Sequence, residues 1–230
     1  MPLTGGSWRL TLLVWALPAL AIAAALALPR SVRASGGERP RWQPDWHDAN
    51  VWRLGLLLGA SSMAFFGTNA YMGSILSARG ALEALPMTLL LFNVSQVVAS
   101  VTMLFVSGRL LARRGPLFAN TLATVVGLVV FSLLEGWAAL AGALLVGFAT
   151  AVQLILLVSL PPYIGASAEA GRLSAGMFTL GYAMAFAVPL LGGLVADALS
   201  GAVWAMLPIT VYVLASMALI PALRLEGSRA

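Results

Sequence analysis

The chain has 230 residues, 60% of them hydrophobic and only 9% charged, with a formal net charge of +5 and no cysteine. A water-soluble domain uses about 25% charged residues, so this composition cannot make a charged surface. The basic excess lies in loops between apolar runs, which excludes a single nucleic-acid-binding face, and the missing thiols exclude a disulfide, a thiolate metal site and a cysteine nucleophile.

The first apolar run, residues 8–28, carries Arg9 ahead of its apolar stretch and resembles a secretory signal. About 20 apolar residues are enough to span a bilayer, however. Its far flank is basic (Arg30 and Arg33), which suits a retained helix with a cytoplasmic end. Residues 29–50 form a polar loop rich in Pro, Gly, Arg and Trp, with His47 as a solvated loop residue. Six more apolar runs follow at 51–77, 85–107, 116–134, 137–160, 173–196 and 203–223, and residues 226–230 form a tail. The connections between these six are short, down to Glu135-Gly136. The runs are too long for buried strands and lack the alternation of an outer-membrane barrel. Helices remain the way to satisfy the backbone in lipid. The predicted fold is an all-α integral membrane bundle of seven transmembrane helices: one at 1–28, a cytoplasmic loop at 29–50, and a group of six at 51–225.

Arginine placement predicts orientation. All basic residues are arginine. One set of connections holds 11 of them (Arg30, Arg33, Arg39, Arg41, Arg53, Arg109, Arg113, Arg114, Arg172, Arg224 and Arg229), and the other set holds 2, Arg9 and Arg79. The heavier side is expected in the cytoplasm, which puts the C-terminus inside and the N-terminus outside. The six-helix group divides into three plus three by span count, as an inverted repeat would.

The loop Gly108-Arg109-Leu110-Leu111-Ala112-Arg113-Arg114-Gly115 resembles the G-x-x-x-D-R-x-G signature of the major facilitator superfamily. Both glycines and Arg113 match, and Ala112 stands at the acidic position, which puts a charge-relay role for the loop in doubt. Arg172-Leu173-Ser174-Ala175-Gly176-Met177-Phe178-Thr179-Leu180-Gly181-Tyr182, continuing through Phe186 to Gly193 and Asp197, is similar to helix eleven of that superfamily's cyanate and 2-nitroimidazole transporter group. Gly67-Thr68-Asn69-Ala70-Tyr71 resembles that group's helix seven. The resemblance implies that the first span corresponds to helix six, residues 29–50 to the central loop, and the last six spans to helices seven to twelve. It further implies a bacterial inner-membrane transporter of a small solute, an anion or a neutral organic molecule, working by alternating access. One helix plus a six-helix half is the form expected of a partial chain that needs an N-terminal half. An upstream reading frame encoding further hydrophobic spans would establish that.

Polar side chains inside the spans are candidates for helix packing or for a solute path. Asn93, Gln96 and Ser100 share a helical face by their spacing, as do Thr150 with Gln153, Ser62 with Asn69, and Thr179 with Tyr182. Asn69, Asn93, Gln96, Gln153 and Tyr182 are the candidate solute contacts, lining a wet central cavity; the alternative is interhelical hydrogen bonding. Gly55 and Gly59 have the spacing for close helix approach, and Gly176, Gly181, Gly192 and Gly193 with Pro189 would let the sixth span bend and slide. With no lysine, a retinal Schiff base is excluded. A lone histidine in a loop cannot serve an intramembrane enzyme. No metal or cofactor is expected, and the expected partners are the bilayer, a small molecule and a second half. A non-transport, membrane-embedded interaction protein is the remaining alternative.

Overall fold

The structure is a computed structural model that describes residues 43–164, 169–223 and 225, together with residues 14, 16–18 and 20–23. It divides into two units, Met1–Arg39 and Pro40–Ala230. In the first unit the described residues are helical. The rest of the predicted span 8–28 lies outside the described residues. So do most of loop 29–50, the tail 226–230, and Arg9, Arg30, Arg33, Arg39, Arg41, Arg224 and Arg229.

The described part of the second unit is all helix, with no strand, and six of its helices are long and apolar enough to cross a membrane. They are α1 (Ala49–Ala78), α2 (Leu85–Leu110), α3 (Arg114–Leu133), α4 (Gly136–Val158), α5 (Ala170–Ala198) and α6 (Met206–Ser216), the last reaching spanning length only with its flanking 3-10 turns, over Ala202–Leu219. Short 3-10 turns lead into α2 and α6, and a single turn, Pro161–Ile164, precedes α5. Local chemistry sets the ends. The Asp48 carboxylate caps α1 by accepting from the Asn50 N–H at 2.8 Å. At its other end, Gly80 (φ 67) closes a Schellman motif, with Ala81 N–H bonded to Leu76 O at 2.8 Å. A proline in the first turn starts α2. The last span stops earlier than the predicted 223. Pro221 has no N–H to continue the ladder, so the helix tightens to a 3-10 turn at Met217–Leu219 and ends.

Helices α1 and α4 form the centre. In their most apolar stretches 72% and 61% of residues are buried, against 17% for α2 and 22% for α5. The packing is crossed: α1 lies chiefly against α5, and α4 lies against α2 and α3. Each triplet's first helix therefore packs on the second helix of the other triplet, while α1 meets α4 and α3 meets α6. Exchanging the two triplets leaves these main contacts in place, as an inverted repeat would, although α5 also packs on α6 while α2 and α3 scarcely touch.

Helices that cross a bilayer gain no hydrophobic drive to join one another, and close backbone approach is what supplies the attraction in such bundles. Glycines provide it at three crossings. A Cβ on Gly55 would lie 2.6 Å from Leu180 Cβ, and one on Gly181 would lie 2.7 Å from Leu58 Cδ2, so α1 and α5 meet through both. Between α3 and α4, a Cβ on Gly142 would stand 2.6 Å from the Phe131 backbone nitrogen. Between α2 and α4, Gly147 admits the Phe92 carbonyl, which a Cβ would meet at 2.7 Å. Gly176, Gly181 and Gly192 seat neighbouring atoms, and α5 runs unbroken through Pro189.

Charges segregate to the two ends of the bundle. One end gathers the start of α1, the α2–α3 loop, the start of α5 and the chain after α6. It carries Arg53, Arg109, Arg113, Arg114 and Arg172 with Asp45, Asp48 and Glu169. Asp45 pairs with Arg172 at 3.6 Å. Among the described residues the opposite end carries Arg79, Glu83, Glu135 and Asp197.

Candidate functional site

A helical hydroxyl or amide can satisfy itself on the carbonyl one turn back, which retains a free lone pair. Most polar side chains in these spans do this. Asn69 donates to Phe65 O at 3.2 Å, Asn93 to Leu89 O at 2.8 Å, Thr150 to Val146 O at 2.7 Å and Thr179 to Ala175 O at 2.8 Å. Bonds between helices are fewer, and Gln153 makes one of them. They include Ser61 to Thr150 O at 2.9 Å, Tyr71 to Pro189 O at 2.6 Å, Tyr212 to Leu56 O at 3.3 Å and Gln153 to Thr121 Oγ1 at 3.2 Å.

The five candidate residues fall in four places. Asn93 and Gln96 stand together on the outward face of α2, joined by a 3.3 Å amide–amide bond, in a shallow depression with Val97, Ser100, Val101 and Leu104. Tyr182 is half-exposed on α5 and stacks on Phe178 with ring centroids 6.0 Å apart. Gln153 is buried against α3, and its Oε1 has no partner. Asn69 is partly buried on α1. Among the described residues, no hydrogen bond links Asn69, Gln153 or Tyr182 to the Asn93–Gln96 pair.

The most site-like surface is a groove between α1 and α5. Phe66, Ala70, Tyr71, Tyr182, Phe186 and Pro189 line an open cavity of ≈ 510 Å³. It continues past Tyr71 into a more polar mouth of ≈ 470 Å³ bordered by Ser74, Gly193, Asp197 and Ser200. Tyr71 is the hinge of this surface. Its hydroxyl reaches Pro189 O because Gly193, one turn on, has no side chain; a Cβ there would stand 3.1 Å from the phenol oxygen. The groove offers aromatic faces and hydroxyls along its length and one carboxylate, Asp197, at its mouth. Tyr71, Phe66 and Phe186 are absent from the sequence-derived candidates. The sequence carried no signal for this bond: a mid-span proline frees the carbonyl four residues back, that of Ala185, while Tyr71 donates to the carbonyl of Pro189 itself.

In the Gly108–Gly115 loop, a Cβ on either glycine would meet nothing within 4 Å. Ala112, at the acidic position of the signature, has φ 56. Arg114 donates through Nε to Leu223 O at 3.1 Å and so ties α3 to the chain that follows α6. Arg79 does the same at the opposite end, donating to Phe131 O at 3.1 Å and Ser132 O at 2.6 Å and capping the C-terminus of α3.

Nothing in the comparisons adds to this picture: no protein family matches the chain, and no match was found among curated proteins or solved structures.

Proposed function

We propose that the chain is a six-helix half of a small-solute transporter that works by alternating access, of the kind found in the major facilitator superfamily and resembling its cyanate and nitroimidazole group. The observation that carries the reading is the crossed packing of the two helix triplets, since secondary transporters are built from inverted repeats around a central site. The Gly108–Gly115 loop and the α5 stretch support it from the sequence. The solute path on this reading is the α1–α5 groove with Tyr182, together with the Asn93–Gln96 face of α2. A second six-helix unit covers both α2 and α5. Gln153 is a packing residue in this scheme and Asn69 flanks the groove. The arginine-rich end faces the cytoplasm of a bacterial cell.

Thermal stabilisation of the purified chain by a panel of small anions and neutral heterocycles, cyanate included, tests the proposal. One ligand is expected to raise the melting temperature of the wild type and of Gln153→Leu, and to lose at least about tenfold in affinity, or about 1.4 kcal/mol, in Tyr182→Leu or Gln96→Leu. Equal affinity in all four proteins would remove the site assignment. No ligand-dependent shift, together with no uptake when a second half is co-expressed, would remove the transport reading.

A further inference from the structure

A second cleft, separate from the α1–α5 groove, lies at the end of the bundle that holds Arg79. The close of α1, the start of α2 and the α3–α4 turn enclose about 500 Å³ of it. Its walls are hydrocarbon, from Leu76, Met87, Leu91, Phe131 and Leu140, and its rim carries Arg79 and Glu135 beside Trp137. We propose that this cleft seats one acyl chain of a membrane phospholipid, with a zwitterionic, amine-bearing headgroup held between Arg79 and Glu135.

Three observations carry the assignment. The walls below the rim are chiefly apolar, and their one hydroxyl, on Thr88, already donates to Ala84 O at 2.8 Å, so a chain suits the space better than solvent does. Trp137 is 86% exposed at the first turn of α4, the level at which indoles sit in the bilayer interface. The third observation concerns charge. Arg79 gives two of its N–H groups to the carbonyls of Phe131 and Ser132, and a guanidinium has further donors for a phosphate oxygen. Among the described residues neither Arg79 nor Glu135 is in an ion pair, with each other or with a third group. A cation and an anion at one rim, each without a counterion, complement a phosphate and an ammonium in the same headgroup. A phosphoglycerol headgroup or a fatty acid satisfies Arg79 alone and sets its negative charge beside Glu135.

Native mass spectrometry of the delipidated chain, titrated with phosphatidylethanolamine and phosphatidylglycerol of matched acyl chains, tests this. One tightly held phosphatidylethanolamine is expected, favoured over phosphatidylglycerol by about tenfold. Ala84→Trp fills the cleft and should abolish retention of both. Glu135→Gln, on an exposed turn, should keep the site and bring the two lipids to parity. Arg79→Gln is a poorer probe, because it also uncaps α3. Equal binding of the two lipids by the wild type, undiminished binding by Ala84→Trp, or an unchanged preference in Glu135→Gln would each overturn the proposal. The readout requires no transport, so it stands or fails apart from the function proposed above.

Discussion

Two Schellman closures at the same end of the bundle differ by one atom group. After α1 the left-handed position is Gly80, while after α5 it is Ser200, with φ 53, where Gly201 N–H bonds to Ala196 O at 3.0 Å. A Cβ in the left-handed region costs about 1 kcal/mol. Ser200→Gly should therefore stabilise the protein by about that amount, and Gly80→Ala should destabilise it by about the same, read as opposite shifts in melting temperature in detergent. Ala112 shares the left-handed conformation, so Ala112→Gly is expected to follow Ser200→Gly. Asp and Asn tolerate that conformation better than most residues, which makes an acid at this loop position sterically natural. Gln153 raises the opposite issue. Its buried Oε1 lacks a partner, and an orphaned buried acceptor costs about 1–3 kcal/mol. Gln153→Leu is expected to be neutral or stabilising in the same assay, and a loss above about 1 kcal/mol would mean that Oε1 has a partner after all.

At the scale of helices, the glycines sort by what a methyl group would strike. At Gly142 it would strike backbone, the Phe131 nitrogen at 2.6 Å, which cannot rotate away. At Gly73 the nearest atom is the flexible end of Leu85 at 3.5 Å, and at Gly108 there is nothing within 4 Å. Gly142→Ala should cost about 1–3 kcal/mol by overpacking. Gly73→Ala and Gly108→Ala should be neutral or slightly stabilising, as alanine is the better helix former; denaturation in mixed micelles separates the three. The same contrast explains what the sequence could disclose. All six described helices were legible as apolar runs, because length and hydropathy alone decide what can span lipid. The Gly55–Gly59 spacing announced a close approach. That its partner would be α5 was not legible, since periodicity marks a face without naming what covers it. Polar residues were least legible of all. Gln153 and Asn93 read alike in an apolar run, and only the neighbours make one a buried bond to Thr121 and the other an outward-facing amide.

For the molecule as a whole, the arginine-rich end and the end bearing Arg79 are expected on opposite sides of the membrane. The chain contains no cysteine, so single introduced thiols report without background. In intact cells a membrane-impermeant maleimide should label Glu83→Cys, and it should label Ser159→Cys only after permeabilisation. The reverse pattern would invert the proposed orientation. Asn93→Cys faces lipid in the chain alone, where the reagent does not react; labelling that appears when a second half is co-expressed would place the partner and a wet path on α2, as the transport reading requires.

The crossed packing also has a consequence for time. Tyr71 and its acceptor Pro189 are 118 residues apart in the chain. At roughly 5–20 residues per second, translation needs about 6–24 seconds to supply that partner. Until then α1 has been made without the helix that fills its glycine face. A ribosome-bound chain ending before α5 is therefore expected to be cleared by membrane proteases, and one extended past Leu199 to be spared.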